Sequence, residues 1–441
     1  MIEIFLIGVH IIIITIFCYS PKYLVSYFNN NQKLDIIGHL EIGIILNIFL
    51  LLILSFIFRG NSNLIFYILI IVFLINLFFC INDFINYIKK NNQLIRPELL
   101  FLLLFAFILS VDLSNNLKLG WDGQNYWLAK KLIFSNGGDV FDLKLTPRND
   151  YPYLGSFIWF LYSKISILNY EYFGRIFYIY LFLISIFSVS RIIKINLFEF
   201  LLLSSIIVFL IYKSSLFNGY QEIISFSLLV LLINNFYRIL NNRLEKNKFN
   251  NNLLLTFLII CNLIWIKNES SVFAIIFILT FLTIKEFKIN FKILFLVGCG
   301  ILFLAKYYLF DLFNLSHGIQ SGNYENFKIE NFFDFINIQR FFLVSQYLTF
   351  TFIEMLIYPL TIIFLIILLK FNKKNQFYNF LFYSFILNIV FLYAAFLLNY
   401  FPLEWVLKVS LYRIVFQSSA FFVILIPLFY NFLLNKYSKK I

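Results

Sequence analysis

Charged residues are scarce in this chain of 441 residues. Asp, Glu, Lys and Arg together make up 13% of the sequence, whereas hydrophobic residues make up 61%. Soluble proteins usually contain about 25% charged and about 45–50% apolar residues, because a folded domain needs a polar surface in contact with water. The composition excludes a soluble enzyme, a disordered chain and a disulfide-stapled secreted domain. It predicts an all-α integral membrane protein, built as a polytopic helix bundle.

Cysteine and histidine are also rare, with four and three residues. Each cysteine lies in a separate apolar run without a CxxC pair, and His317 stands alone in its loop. Disulfide frameworks and zinc sites need several such residues at suitable spacing, so neither is predicted. No phosphate-binding P-loop sequence is present. We therefore predict no cofactor, and a divalent metal is compatible with the sequence but not indicated by it.

The basic residues set the predicted orientation of the chain, whose formal net charge is +13. Such an excess can indicate a nucleic-acid partner, but here Lys and Arg gather in short connections between apolar runs, so no such partner is expected. The positive-inside rule assigns these connections to the cytoplasm. They contain Lys89, Lys90 and Arg96; Arg238, Arg243, Lys246 and Lys248; Lys285, Lys288 and Lys292; Lys370, Lys373 and Lys374; and Lys436, Lys439 and Lys440. The N-terminus is then predicted outside and the C-terminus inside.

About thirteen segments are predicted to cross the membrane, because a spanning helix needs about 20 mainly apolar residues. They are 3–19, 39–58, 64–83, 98–113, 173–190, 197–213, 221–236, 253–266, 270–284, 289–305, 344–369, 377–399 and 411–434. We divide the chain into N-terminal transmembrane helices, 1–97, and a second region, 98–441.

Two long loops, 114–172 and 306–343, fall on the extracytoplasmic side in this topology. Residues 152–167 of the first loop are apolar enough to be taken for a crossing, but that would reverse the orientation of the preceding basic loop. We predict instead a juxtamembrane helix in the outer interface. Its side chains suited to the headgroup layer are Trp159, Tyr162 and Lys164.

Ionisable residues gather at this same outer edge. Charged groups near membrane depth are costly and mark functional sites, so their number predicts a polar cavity that opens outward. The residues are Asp122, Asp139, Asp142, Asp150, Glu222, Lys267, Glu269, Glu404 and Arg413.

Two of the aspartates have different alternatives. Asp122 lies among aromatic residues in Leu119-Gly-Trp-Asp-Gly-Gln-Asn-Tyr-Trp. It is either a general base for an acceptor hydroxyl or a cap of the helix that follows. Asp150 precedes Tyr151-Pro-Tyr, where ordinary turn chemistry is the stronger interpretation.

The remaining groups also allow a structural interpretation. Glu222 begins a predicted crossing, where a helix N-terminus favours a carboxylate. Lys267 and Glu269 interrupt an apolar stretch, either pairing with each other or leaving Lys267 to hold a phosphate as a point charge. Arg413 is either a snorkelling anchor or a bidentate partner for phosphate.

The order of these motifs resembles that of the GT-C superfamily of membrane glycosyltransferases, which includes dolichyl-phosphate-mannose protein mannosyltransferases and lipid A aminoarabinose transferases. That superfamily has an acidic residue in its first large outer loop, then a Pro-containing juxtamembrane helix, then an Arg that begins the next crossing. Asp122, Tyr151-Pro-Tyr-Leu and Arg175 occur here in that order.

Three later segments resemble the uncharacterised bacterial branch of this superfamily, and the likeness covers about 98–434. Asn218-Gly-Tyr-Gln-Glu-Ile is similar to its GYA(D/E) motif, Trp265-Ile-Lys-Asn-Glu-Ser to KNEG, and the stretch from Leu403 to Gln417 to LEWHL-x-x-S-x-x-R. Val406 and Ser270 depart from this pattern, since relatives often have His and Gly there.

The resemblance implies a glycosyltransferase that takes a sugar from a polyprenyl-phosphate donor and transfers it with inversion to a lipid, glycan or protein acceptor. It further implies a multi-pass protein, in a bacterial inner membrane, with its site on the extracytoplasmic side. Catalytic roles fall to Asp122 and Glu222, and phosphate binding to Lys267 and Arg413. Supporting residues are Asp150, Tyr151, Arg175, Glu269 and Glu404. The alternatives are a transporter or flippase of lipid-linked glycans, a surface polysaccharide polymerase or ligase, and a non-catalytic scaffold.

Overall fold

The computed structural model describes residues 2–28, 35–91, 96–193, 195–241, 251–316, 337–372, 375–399 and 401–438. Within these ranges the chain forms helices and no β-strand, which confirms the predicted all-α class. Several predicted loop residues lie outside the described ranges. They are Arg243, Lys246, Lys248, His317, Lys373, Lys374, Lys439, Lys440 and residues 317–336 of the second long loop.

The described residues contain eighteen α-helices, which are numbered here in chain order. They are α1 (Ile2–Phe17), α2 (Lys22–Phe28), α3 (Ile36–Ile57), α4 (Ser62–Asn91), α5 (Pro97–Asn115), α6 (Leu128–Ser135), α7 (Leu154–Ile165), α8 (Glu171–Ser190), α9 (Leu197–Ile211), α10 (Glu222–Asn241), α11 (Asn251–Ile266), α12 (Asn268–Leu282), α13 (Ile289–Leu312), α14 (Ile338–Glu354), α15 (Ile357–Phe371), α16 (Gln376–Leu397), α17 (Leu403–Ser419) and α18 (Leu425–Ser438). A π-helical turn, Gly123–Trp127, precedes α6 directly.

Among the described residues, seven helices are long and apolar enough to cross a membrane: α3, α4, α5, α8, α10, α13 and α16. The number rises to nine if the bent pairs α1–α2 and α14–α15 each count as one span. Helices α9, α11 and α12 are apolar but shorter. This pattern supports a multi-pass membrane protein, whereas the thirteen predicted crossings are not confirmed.

Two predicted crossings are each divided into two helices. The segment 344–369 bends by 87° between α14 and α15, and the segment 411–434 is interrupted by turns at residues 420–424. In both cases a proline stands in the first turn of the second helix, Pro359 in α15 and Pro427 in α18. Proline is tolerated there but clashes with the carbonyl four residues earlier in a continuous helix. Arg413 consequently lies inside α17 and not at the mouth of a last crossing.

The predicted juxtamembrane helix is present as α7, but the predicted contact of its two aromatic residues with the headgroup layer is wrong. Trp159 and Tyr162 are fully buried. The Trp159 indole N–H donates to the backbone oxygen of Glu171 at 3.0 Å, and the Tyr162 hydroxyl donates to Asn47 at 3.0 Å. Helices α3, α6 and α8 pack against α7, so these aromatic rings contact protein instead of lipid headgroups.

Contacts between helix ends identify two ends of the bundle. At one end, Tyr212 after α9 donates to Asp112 of α5, and Arg175 of α8 donates to the backbone oxygen of Phe217 at 3.0 Å. At the opposite end, Arg191 after α8 pairs with Asp35 before α3 at 2.8 Å. The loop 116–170 and the segment 212–221 therefore share one end, called the site end below.

The N-terminal helices pack directly against the rest of the bundle. Glu41 of α3 is completely buried and accepts two hydrogen bonds from Arg238 of α10, at 2.8 and 3.1 Å. The Ser188 hydroxyl of α8 donates to the same carboxylate at 2.5 Å. Residues 1–97 thus contribute to the core, and the division at residue 97 stays a prediction.

Candidate functional site

Asp122 is carried by a loop that docks tightly on the segment before α10. The Gly120 amide donates to the backbone oxygen of Asn218 at 2.9 Å. A Cβ atom at position 123 would lie 2.5 Å from the same oxygen, so only glycine fits there. Asp122 immediately precedes the π-helical turn, a feature often found at functional sites. This docking brings Asp122 next to the start of α10, where Glu222 lies.

Arg413 joins the two acidic residues. Its Nη1 atom lies 2.5 Å from Oδ2 of Asp122 and 3.2 Å from Oε1 of Glu222. The guanidinium also lies over the ring of Tyr220, 4.6 Å from the ring centre. An arginine that contacts two carboxylates and an aromatic face is held in one position, more firmly than a snorkelling anchor would be.

Lys267 completes the arrangement from the junction between α11 and α12. Its backbone is extended, which interrupts the helix and turns the side chain toward the site. The ammonium lies 2.8 Å from Oε1 of Glu222 and 3.3 Å from Oε1 of Glu269. Burial alone would lower the pKa of Lys267, but the two carboxylates outweigh it and raise this pKa above its ordinary value. The lysine therefore stays charged.

These five side chains form what we call the charged cluster: Asp122, Glu222, Lys267, Glu269 and Arg413. Their exposed fractions are low, at 19%, 2%, 6%, 22% and 14% in that order. Oε1 of Glu222 is shared by both cations, so Glu222 is the centre of the cluster.

Three polar atoms of the cluster are buried and lack a hydrogen-bond partner within the described ranges. They are Oε2 of Glu222, Oε2 of Glu269 and Nε of Arg413. An unsatisfied buried polar atom costs about 1–3 kcal/mol, so a native protein rarely keeps several of them close together. Their presence in one cluster indicates a place where water or a polar ligand binds.

Asp150 and Tyr151 lie beside the charged cluster without joining it. Arg148 binds Asp150 through two hydrogen bonds of 2.9 Å, which compensate the charge of this carboxylate. The Asn268 amide donates to the backbone oxygen of Asp150 at 3.3 Å, linking this turn to the start of α12. Burial first, and then the charge of Glu269, raise the pKa of Tyr151 above its ordinary value.

Arg175 and Glu404 do not contact the cluster. Arg175 is fully buried, pairs with Glu171 at 2.9 Å and donates to the backbone oxygen of Leu117 at 3.2 Å, so it holds the loop ends together. Glu404 pairs with Lys408 at 2.6 Å on an exposed face of α17. Among the described residues, neither Arg175 nor Glu404 contacts the charged cluster.

Asp139 and Asp142 have a local structural role. The Asp139 carboxylate accepts a hydrogen bond of 3.3 Å from the amide of Asp142, and the Asp142 carboxylate accepts one of 2.9 Å from the amide of Asp139. This reciprocal pair is a capping box for the short 3₁₀ helix Val140–Leu145.

The sequence did not single out two residues that border the cluster. Tyr220 lies two residues before Glu222, and only Glu222 was predicted as a site residue in this motif. Lys306 of α13 lies 3.2 Å from Oδ1 of Asn268 and is attracted by Glu269. The predicted crossing ended at residue 305, which assigned Lys306 to a loop. Because Lys306 directly follows an apolar run, the sequence could have indicated that it lies at the end of a helix, where site residues gather.

A third lysine is buried nearby. Lys130 of α6 is inaccessible to solvent, and its ammonium donates to the backbone oxygen of Tyr151 at 2.5 Å. Burial lowers the pKa of Lys130 from 10.5 to about 7, against the attraction of Asp150 and with a smaller contribution from Arg148. This lysine ties α6 to the turn that carries Asp150.

Carboxylates and cations alternate within the charged cluster. Within the described ranges no group of three or more His, Cys, Asp or Glu side chains is arranged to hold a metal. The carboxylates are instead separated by cations, and Lys306 adds a third positive charge beside Glu269. A phosphate could replace a carboxylate as the partner of Arg413 and Lys267, because both are common phosphate ligands.

Comparisons of the chain with family models, with curated proteins and with solved structures find no match. The function is therefore inferred from the motif resemblance described above together with the geometry and electrostatics of the charged cluster.

Proposed function

We propose that this protein is a GT-C-type integral membrane glycosyltransferase. It takes a sugar from a polyprenyl-phosphate donor and transfers it, with inversion, to an acceptor on the extracytoplasmic side of a bacterial inner membrane. The observation that supports this most is the charged cluster itself, in which residues from four distant segments meet at one end of an apolar bundle.

A polyprenyl-phosphate sugar fits this position because it is amphipathic. Its isoprenoid chain stays among the apolar helices, while its phosphate and sugar reach the polar groups at the site end. Arg413 and Lys267 supply the positive charge that a phosphate needs, and they lie 3.2 and 2.8 Å from the same carboxylate, Glu222. One phosphate bound beside Glu222 can therefore be reached by both cations.

The proposed reaction is a single in-line displacement. Asp122 accepts the proton of the acceptor hydroxyl as the acceptor oxygen forms a bond to the anomeric carbon of the sugar. The bond between that carbon and the phosphate oxygen breaks, and its electron pair stays on the polyprenyl phosphate, which leaves. Arg413 and Lys267 stabilise the charge that develops on this oxygen. Asp122 then releases its proton to water.

Asp122 must first be released from Arg413 to act as a base. In the structure its Oδ2 atom is held by Arg413 at 2.5 Å, so this oxygen is not free to contact an acceptor hydroxyl. We propose that the donor phosphate displaces Asp122 from the guanidinium. Donor binding then activates the base, and acceptor deprotonation follows donor binding.

Glu222 has a positioning role in this proposal. It is almost completely buried between Lys267 and Arg413, so an acceptor hydroxyl has little access to it. Its charge holds the two cations at a spacing that one phosphate can bridge. Asp122 is the more exposed carboxylate and is the proposed base.

The test is sugar transfer by the purified protein in lipid nanodiscs. Undecaprenyl-phosphate-linked glucose, mannose and N-acetylglucosamine serve as donors, and release of undecaprenyl phosphate is measured. Asp122→Asn keeps the size and most hydrogen bonding but removes the base, so turnover of the accepted donor is expected to fall by about 10²–10⁴. Asp112→Asn, at the same end but outside the cluster, is the matched control and is expected to retain wild-type turnover.

Three results would contradict the proposal. These are no release of undecaprenyl phosphate from any of the three donors, equal turnover by the Asp122→Asn protein and the wild type, and retention of the donor's anomeric configuration in the product.

A further inference from the structure

A cleft of about 420 Å³ lies between α14 and α17, outside the charged cluster. Small-molecule sites have volumes of about 300–1,000 Å³, so the cleft is large enough for one or two sugar rings. Its lining residues include Gln346, Tyr347, Phe350, Glu354 and Tyr412.

The cleft lies at the site end of the bundle. Glu354, at the end of α14, pairs with Lys213 at 3.0 Å, and Lys213 lies two residues after the C-terminal end of α9. The opposite end of α14 is close to the end of α16, since Arg340 donates to the backbone oxygen of Leu397 at 3.1 Å. Helix α14 thus contacts the end of α16 through Arg340 and the segment after α9 through Glu354.

Helix α17 connects the cleft to the charged cluster. Tyr412 lines the cleft, and the next residue, Arg413, contacts Asp122 and Glu222. Successive residues of an α-helix project about 100° apart, so two neighbouring faces of one helical turn border the two sites. A ligand in the cleft thus lies beside the residues that the proposed reaction uses.

The charges around the cleft compensate one another. Glu354 pairs with Lys213, and Glu404 pairs with Lys408 at 2.6 Å. Each of these four charges has a partner of the opposite sign. The balance favours an uncharged ligand with many hydrogen-bonding groups.

The remaining lining residues match the two surfaces of a sugar. Phe350 is 66% exposed and, with Tyr347 and Tyr412, offers aromatic faces on which the apolar C–H side of a sugar ring can pack. Gln346 supplies an amide donor and acceptor for hydroxyl groups, and the carboxylate of Glu354 supplies a further acceptor.

We propose that this cleft binds the neutral carbohydrate part of the acceptor, next to the donor site on the other face of α17. The proposal depends on the glycosyltransferase function above and adds the class of acceptor to it. The acceptor is then a glycan or glycolipid whose sugar lies in the cleft while one hydroxyl reaches Asp122.

The test measures how the donor sugar divides between a carbohydrate acceptor and water. Purified protein in nanodiscs receives the accepted undecaprenyl-phosphate-linked sugar and octyl β-glucoside below its micelle concentration, and mass spectrometry quantifies the glycosylated product and the free sugar. We expect Phe350→Ala and Gln346→Ala to lower the ratio of transfer to hydrolysis by about fivefold to tenfold, because each loses one contact to the acceptor.

Phe342→Ala is the matched control. Phe342 belongs to the same helix and is 68% exposed, against 66% for Phe350, but it does not line the cleft. Its removal is expected to leave the ratio unchanged. Because both phenylalanines are largely exposed, neither replacement is expected to unfold the protein, which size-exclusion chromatography checks.

The outcomes separate the two proposals. An unchanged ratio in both cleft variants, or an equal decrease in the Phe342→Ala control, overturns the acceptor site. Hydrolysis by the wild type without transfer to octyl β-glucoside also overturns it but leaves donor cleavage intact. Absence of both reactions refutes the glycosyltransferase function, and the acceptor site with it.

Discussion

Replacing Glu222 by glutamine removes the negative charge between two cations that have little access to water. Its Oε1 atom lies 2.8 Å from Lys267 and 3.2 Å from Arg413, and the three side chains are 2%, 6% and 14% exposed. Glutamine fills the same space, so the change is electrostatic. Lys267 keeps Glu269 as a partner and Arg413 keeps Asp122. The repulsion between Lys267 and Arg413, however, is no longer compensated by a carboxylate between them.

The size of the effect follows from opposing contributions. With an effective dielectric constant of about 20, each of these contacts contributes an attraction of roughly 5–6 kcal/mol. Burying the carboxylate costs several kcal/mol, and glutamine avoids this cost. Breaking a buried pair usually destabilises a protein by about 3–5 kcal/mol. Because each cation keeps a second carboxylate, we expect the lower end, about 3 kcal/mol.

The assay is equilibrium unfolding in mixed micelles with an increasing mole fraction of sodium dodecyl sulfate, followed by tryptophan fluorescence. Glu404→Gln is the matched control, since it also breaks a glutamate–lysine pair, and that pair is shorter, at 2.6 Å, but 60% exposed on both sides. Exposed pairs contribute little to stability. Equal unfolding midpoints for the two variants, or a larger shift for Glu404→Gln, would refute the reasoning from burial.

Two other predictions test groups around the site. Arg413→Gln should lower donor turnover by about 10²–10³, which is the usual loss for one electrostatic donor. Arg413→Lys should restore turnover only in part, because an ammonium lacks the bidentate fork. Steady-state turnover of the wild type and both variants checks this, and equal rates would show that Arg413 is not part of the site. Lys130 has a pKa of about 7 in the folded protein against 10.5 ordinarily, so below the lower value it is protonated in both states and its burial penalty is fully present. Between the two values only the unfolded state holds the proton, and stability therefore increases with pH. Unfolding midpoints across this range should increase in the wild type and change less in Lys130→Met, whereas parallel profiles would show that this lysine is not the titrating group.

Most residues of the charged cluster could be predicted from the sequence. Asp122, Glu222, Lys267 and Arg413 are separated by long stretches of chain, yet the alternation of apolar segments assigned all four to one end of the bundle. In the structure they are in direct contact. The reason is that an ionisable residue beside an apolar run is restricted to the end of a helix, so topology alone predicts which residues can meet.

Contacts across the bundle could not be predicted in the same way. Glu404 was predicted at the same outer edge as the cluster residues, and the family resemblance implied a supporting role for Arg175. In the structure Arg175 donates to backbone oxygens and Glu404 pairs with Lys408. Which way a side chain points depends on packing between distant helices. Trp159 illustrates this most clearly, since an apolar helix covered by protein has the same composition as one covered by lipid.

Breaks inside apolar segments were hidden for a different reason. Hydropathy averaged over a window continues smoothly through Pro359 and Pro427, so 344–369 and 411–434 each appear as one crossing. A continuous α-helix is nevertheless interrupted before each of these residues, because proline lacks the amide hydrogen and clashes with the preceding turn. The two prolines therefore indicate the breaks between α14 and α15 and between α17 and α18, which average hydropathy does not show.

The central claim is that the charged cluster binds the phosphate of a lipid-linked sugar. The most direct measurement is a cryo-electron microscopy map of the protein in nanodiscs with an uncleavable phosphonate analogue of the accepted donor. The account predicts that the phosphonate lies within hydrogen-bonding distance of Arg413 and Lys267, and that Asp122 is separated from Arg413. An analogue bound elsewhere, with the Asp122–Arg413 contact still closed at 2.5 Å, would contradict it.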